Sequence, residues 1–393
     1  MFADDPAATI IFARNEIHDV NSPRTQSLGK EAIENCIRNH PGCPRLAANN
    51  LLLPTRVIDC RDPAYPRLVG TNGRHELYIA LSYVWGEPQP HSTTTDNPAS
   101  YLNSIDAQSL PKTIRDGACI RHAIPLGRHI VHHTKFRRGQ DSRAASAHFT
   151  IVAGSAPKVS KGFLQSRSPP SRGDPSFKIS CPPRAKVLGT LTLGRDINYY
   201  RVSTDTDPVH SLGWCLQEMF LSRRTLVYAS QTLQYHCQTE VINIGRSVYQ
   251  SDRFSDTPKY WTYRISLSMT GRRHWLRGRC SWNPRERGMR LACLKAGRRS
   301  SESITRRSIT VSTDKFHAIS AIAERFHQFR KSRYLAGLWE DTLLLDLLWT
   351  TVTDVASNHP MEYRAHSLPG QRSIMKSKCT RCCISGMYSF AVV

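Results

Sequence analysis

Three soft metal ligands stand close together near the start of the chain, Cys36, His40 and Cys43, in the spacing Cys-x3-His-x2-Cys. A second group, Cys379, Cys382 and Cys383, lies near the other end. Thiolates and an imidazole at such short spacing are what a structural zinc site uses. That site takes four ligands, usually as two close pairs, so each group is incomplete alone. Cys60 completes the first only if the fold brings it back. The plainer reading is buried thiols on a helix and its exit, and the expectation is no metal and no cofactor. Nucleophile elbows, Walker loops, dinucleotide fingerprints, zinc-protease helices and Gly-rich phosphate cradles are absent, which removes the common hydrolase, kinase and oxidoreductase readings at the motif level.

Charge is the next candidate for chemistry. Of 393 residues, 54 are Lys or Arg and 31 Asp or Glu, a formal charge of +23. Such a surplus suggests an anionic partner. It is concentrated, however, in residues 111–190 and 258–310, each carrying +12, while the rest of the chain sums to −1. The surplus is also arginine-heavy, with 41 Arg against 13 Lys, and follows no helical or alternating period. Few aromatics are interleaved, apart from Trp275 and Trp282, so nucleic-acid binding is the disfavoured reading. Hydrophobic residues at 39% argue against a wholly disordered chain. Twelve cysteines without regular spacing, behind an acidic Met1-Phe2-Ala3-Asp4-Asp5 with no apolar run, are not a secreted framework. No stretch approaches the ~18 apolar residues of a membrane span. The expectation is a soluble cytoplasmic protein with reduced thiols and no membrane association.

The elements that would position these residues are uneven. Ile33, Cys36 and Ile37 predict a helix over 28–40, ended by Pro41 and Gly42. Arg56 to Asp59 alternates as a half-buried strand, and a turn-like stretch runs from Asp62 to Gly73. Leu77 to Tyr83 is nearly continuous in β-forming residues, as a central strand covered on both faces would be. Leu110-Pro111 starts a helix. Residues 117–146 show no amphipathic period and are assigned no element. A strand is predicted at 147–153, nothing regular over 165–185, a buried helix at 213–221, and strands at 225–229 and 232–237. Behind Ser312-Thr313-Asp314, the stripe Ile319, Ile322, Ala323 and Phe326 predicts another helix, and Leu344, Leu347 and Leu348 one more over 341–351.

Several strings, in order, resemble the fungal heterokaryon incompatibility (HET) domain. Tyr78-Ile79-Ala80-Leu81-Ser82-Tyr83-Val84-Trp85-Gly86 is similar to its opening block, and Leu53 to Asp59 to the lead-in before it. The Cys36-x3-His40-x2-Cys43 pattern is similar to one seen upstream of that lead-in. Leu110 to Asp116 resembles the next helix start. Phe149 to Ala153 with Gly162-Phe163-Leu164 resembles a later strand and turn, and Gly213 to Glu218 with Leu221 to Arg224 the closing block. Asp314 to Ala323, Tyr334 to Trp339 and Leu347 to Trp349 resemble the C-terminal region. The resemblance divides the chain into a lead-in (1–50), a HET domain (51–240), a basic low-order segment (241–310) and a largely helical C-terminal region (311–393).

The resemblance implies a TIR-like, flavodoxin-like parallel sheet with flanking helices, and a role in non-self recognition and cell-death signalling through self-association or a protein partner. Some relatives of that fold cleave NAD. On that chemistry Ser82, Tyr83, Trp85 and Gly86 would line a nucleotide pocket, and Glu218 would steady the ribosyl cation. The plainer readings are Tyr83 and Trp85 as core, Gly86 as a turn, and Glu218 or Gln217 bonded to backbone. The family's string resembling Trp-Ile-Asp-x-x-Cys-Ile-x-Gln and its acidic helix are not matched, since Cys119-Ile120 is followed by Arg121-His122. The implication is a domain degenerate or mis-spliced in its middle, without NAD turnover. An NAD-cleaving enzyme and a basic nucleic-acid binder remain as alternatives.

Overall fold

The structure is a computed structural model that describes residues 5–9, 17–45, 51–88, 98–126, 129–132, 146–167, 176–180, 188–192, 207–246, 304, 307–309, 315–330, 332–335 and 338–346. They belong to two units, Met1–His210 with Leu221–Ser255, and Ser211–Phe220 with Asp256–Val393. Most of the basic stretch 258–310 and the Cys379 group lie outside the described residues.

In the first unit, α1 (Pro23–Asn39) begins where the Ser22 side chain accepts the Thr25 N–H and Pro23 takes a first-turn position. Gly29, Ile33 and Cys36 form its buried stripe. Gly29 lets the helix approach the sheet, where an added Cβ would lie 3.4 Å from Leu226. The strands are β1 (Arg56–Asp59), β2 (Arg67–Gly70), β3 (Tyr78–Ser82), β4 (His129–His132), β5 (Phe149–Val152), β6 (Ser176–Ser180), β7 (Leu188–Thr192), β8 (Arg224–Tyr228), β9 (Leu233–Cys237) and β10 (Val241–Asn243). Between β3 and β4 come α2 (Pro98–Asn103) and α3 (Lys112–Ala123).

Eight strands form one sheet in the order β10-β9-β8-β5-β3-β4-β1-β2, and β6 pairs with β7 in a separate hairpin. The class is mixed α/β. The sheet is parallel only in part: β8, β5, β3 and β4 run parallel, while β9, β10, β1 and β2 join by antiparallel pairing. Within the parallel set the chain runs second-first-third-fourth across the sheet. β3, β5, β8 and β9 are buried along their whole length. One face gathers Ile79, Leu81, Phe149, Ile151, Leu226, Tyr228, Leu233 and Tyr235 with Ile33 of α1 and Ile114 and Ile120 of α3.

Several expectations are overturned locally. The stretch 62–73 contains β2, paired with β1 through Ile58 opposite Leu68 and Val57 opposite Val69. β1 is not half-buried by alternation: Val57, Ile58 and Asp59 are all buried, the carboxylate being met by Arg61 at 2.7 Å and Arg67 at 3.5 Å. Residues 117–146 do hold regular structure, since α3 continues to Ala123 and β4 pairs with both β3 and β1. The helix stripe is Thr113, Ile114, Gly117, Ala118, Ile120 and Arg121. Small and basic residues in it conceal a 3.6 period, and Arg121 is buried because its guanidinium reaches the Cys60 carbonyl at 3.0 Å. β6 lies in the stretch 165–185.

The second unit holds α4 (Gly213–Leu221, all but its last residue), α5 (Lys315–Arg330), the hairpin β11 (Tyr334–Leu335) with β12 (Leu338–Trp339), and α6 (Leu343–Asp346). The predicted stripe of α5 is buried, with Phe326 against Phe220 at 5.6 Å between ring centres. Leu344, expected on an apolar face, is exposed, and Leu347 and Leu348 lie outside the described residues. Among the described residues no helix is long and apolar enough to cross a membrane.

Candidate functional site

Consecutive residues at the end of a strand address opposite faces, and the predicted pocket residues divide accordingly. Ser82 shares a face with Tyr78 and Ala80, is fully buried, and its hydroxyl has no hydrogen-bond partner among the described residues. Tyr83 belongs to the other face, in the core with Ile79 and Leu81, and Trp85 is half-buried against that core. Gly86 turns the chain at φ +65°, and an added Cβ would lie 2.8 Å from the Pro157 carbonyl oxygen and 2.6 Å from Lys158 Cβ. The close backbone approach that glycine permits here is to the protein's own chain. Glu218 is carried by α4, in the second unit, and is buried.

Around residues 157–164 three separated sequence blocks meet. The Trp85 carbonyl accepts the Val159 N–H at 3.0 Å, and Val159 in turn accepts from Thr113 N–H at 3.0 Å. Glu87 accepts the Ser160 N–H at 2.8 Å and pairs with Lys158 at 2.9 Å. The bonds from Ser160 and then Lys158 hold its carboxyl down to about 2. Thr113 Oγ1 accepts the Gly162 N–H at 3.1 Å. Asp116 Oδ2 accepts from Phe163 N–H at 2.7 Å and Leu164 N–H at 3.1 Å, with Lys112 Nζ at 3.1 Å from Oδ1. Gly162 sits at φ +72°, where a Cβ would strike the Asp116 carboxylate.

Sequence reasoning missed the polar groups beside β5. Asp207 is buried and both its oxygens lie 3.2 Å from the Ser230 N–H. Burial pushes its carboxyl up despite those bonds. The Ser155 N–H donates to the Tyr228 carbonyl at 3.0 Å, and its hydroxyl is buried without a partner among the described residues. Asp207 stands in an aperiodic stretch and carries no sequence signal.

A second constellation brings together Cys36, His40, Cys43 and Cys237, whose ligand atoms all lie within 4.8 Å of one another. α1 delivers Cys36 on its buried stripe. His40 caps the helix, its N–H on the Cys36 carbonyl, and Cys43 folds back with its N–H on the His40 carbonyl at 3.1 Å. The partner is Cys237, at the end of β9, not Cys60, which is buried elsewhere with its thiol pushed up to about 12 by desolvation. Contacts with the Cys237 and Cys43 thiols, and less with Tyr235 and Arg224, push the Cys36 thiol far down.

Comparison of the chain with protein-family models, with curated proteins and with solved structures finds no match.

Proposed function

We propose that this chain is a signalling module of the heterokaryon incompatibility type, acting in the cytoplasm in fungal non-self recognition and programmed cell death through self-association or a protein partner. The observation that carries the reading is the mutual bonding of blocks far apart in sequence. Trp85, Thr113, Asp116 and Gly162-Phe163-Leu164, each within a string that resembles the HET domain, are joined by hydrogen bonds at one end of β3. The second-first-third-fourth order of the parallel strands is also that of flavodoxin-like sheets, which supports the TIR-like reading of the fold. The elements within residues 117–132 favour a coding middle over a mis-spliced one. A transcript continuous in this frame through residues 117–146 is expected, and a splice junction there would overturn that point.

The test is induction of the full chain in a fungal host. Growth arrest is expected at expression levels where an Asp116→Ala variant gives none. A folded, abundant wild-type chain without arrest would refute the signalling role. A second reading, an NAD-cleaving enzyme of the same fold, is favoured by the buried hydroxyls of Ser82 and Ser155, which have no partner among the described residues, beside the adjoining ends of β3 and β5. These ends are where open α/β sheets bind nucleotides. Nicotinamide release from NAD, lost in Ser82→Ala, would support it, and no release by folded protein would exclude it.

A further inference from the structure

We propose that Cys36, His40, Cys43 and Cys237 hold one zinc ion in a closed, structural site. The register of the sheet and the period of α1 build it. β8 and β9 pair so that Arg224 stands directly opposite Cys237. Both lie on the face that α1 covers, and Cys36 meets them one helical turn beyond Ile33. A tetrahedral ion with bonds of about 2.0 Å to nitrogen and 2.3 Å to sulfur needs ligand atoms about 3.3–3.8 Å apart. His40 Nδ1 already stands 3.4 Å from Cys237 Sγ, and the remaining ligand atoms close from at most 4.8 Å.

The surroundings suit a metal more than a set of neutral thiols. His40 Nε2 lies 3.3 Å from Glu240 Oε1. A proton donated on that side leaves the Nδ1 lone pair for the metal, the usual arrangement of a ligating imidazole backed by a carboxylate. Cys237 Sγ accepts the N–H groups of Thr239 and Glu240, both at 3.3 Å, and Cys43 Sγ lies 3.2 Å from the Thr239 hydroxyl. Such donors stabilise a thiolate.

Arg224 is 1% exposed, and its described hydrogen bonds go to Cys36 Sγ at 3.2 Å and the Pro44 carbonyl at 2.6 Å. A guanidinium removed from water requires a negative partner. Three thiolates around a divalent ion carry one net negative charge, which Arg224 balances. Binding releases the three thiol protons to solvent and needs no oxidant. A disulfide that includes Cys36 would remove the thiolate that Arg224 meets. With four protein ligands and Cys36, Cys43 and Cys237 buried, no position is open for substrate, so the ion fastens α1 and its exit to the end of β9.

The experiment uses the full chain, purified without chelator from zinc-supplemented cells, and is independent of any signalling assay. Elemental analysis is expected to give about one zinc per chain. Exchange with cobalt(II) is expected to give the intense visible bands of a tetrahedral ion and thiolate charge-transfer absorption. Cys237→Ser should lower zinc affinity at least tenfold, while Cys60→Ser leaves it unchanged. The cobalt spectrum of the wild type needs no variant to fold. Substoichiometric zinc below a tenth per chain, an octahedral cobalt spectrum, or a disulfide among these cysteines under non-reducing mass analysis would each overturn the site.

Discussion

Replacing Asp116 by alanine should be among the most damaging changes available in the first unit, and its size can be worked from the hydrogen bonds. One carboxylate oxygen, Oδ2, accepts two backbone N–H groups, those of Phe163 and Leu164, both in buried surroundings. Alanine leaves both donors without an acceptor, at about 1–3 kcal/mol each. The Lys112 pair contributes little, on the order of 0.5 kcal/mol, because the lysine side chain is 41% exposed. Removing a buried carboxylate returns part of its desolvation cost, so the net loss is about 3 kcal/mol. Asparagine with its amide oxygen in the Oδ2 position keeps the acceptor of both N–H groups and loses only the charge, a cost of about 1 kcal/mol. Urea unfolding of the full chain with a common slope should therefore rank wild type above Asp116→Asn above Asp116→Ala, the two variants separated by about 2 kcal/mol. Equal midpoints for the two variants, or an alanine cost below about 1 kcal/mol, would refute the view that this carboxylate pins the turn.

Three further outcomes are expected. Gly86→Ala must hold a side chain at φ +65° against Pro157 and Lys158 backbone, and should cost roughly 2–4 kcal/mol in the same assay; a midpoint unchanged within experimental scatter would show that the turn relaxes freely. Burial, and then repulsion from Arg224, lowers the His148 pKa to about 4. Its contribution is intact above the unfolded value near 6.5 and is lost as pH falls from there through about 4, up to roughly 3 kcal/mol. His148→Phe should flatten that acid limb in urea midpoints taken from pH 7 to pH 4, and an identical limb in both proteins would reject the assignment. Glu240→Gln, which weakens the backing of His40, should reduce zinc affinity about tenfold in competition with a chelating dye; unchanged affinity would mean the carboxylate does not orient the ring.

The sequence exposes those elements whose burial is continuous and hides those whose burial is mixed. β3, β5, β8 and β9 are readable because each lies wholly inside the sheet and carries β-forming residues. β2 is an edge strand with exposed Arg67 and Gly70 and reads as a turn. The start of α3 is readable, but its continuation is concealed because Thr113, Gly117 and Arg121 stand where a helix usually shows aliphatic residues. The residues expected to line a pocket at the end of β3 are locatable as a block, but which face each occupies depends on where the strand stops. The fourth ligand is illegible for a different reason. Cys237 is 197 residues from His40, and spacing rules see ligands in one local segment, not those joined by the register of β8 against β9.

The basic surplus also changes its meaning once particular arginines are placed. Arg121 and Arg167 belong to the first basic stretch, which lacks any period, and both are buried with guanidinium groups on main-chain carbonyls: Arg121 on Cys60, Arg167 on Phe163 and Gln165. Burial lowers the pKa of each. These charges are spent inside the fold and cannot form an external footprint for nucleic acid. Each nevertheless needs a nearby anion, since carbonyl dipoles alone do not replace the hydration of a cation. For Arg167 that field comes from Asp207, and for Arg121 from Asp59. For Arg224, buried most deeply of the three, it comes from Cys36 Sγ. A neutral thiol cannot serve, so the same reasoning that makes Asp207 necessary to Arg167 makes a thiolate necessary to Arg224. A thiolate among three sulfurs and an imidazole is the condition under which zinc binds.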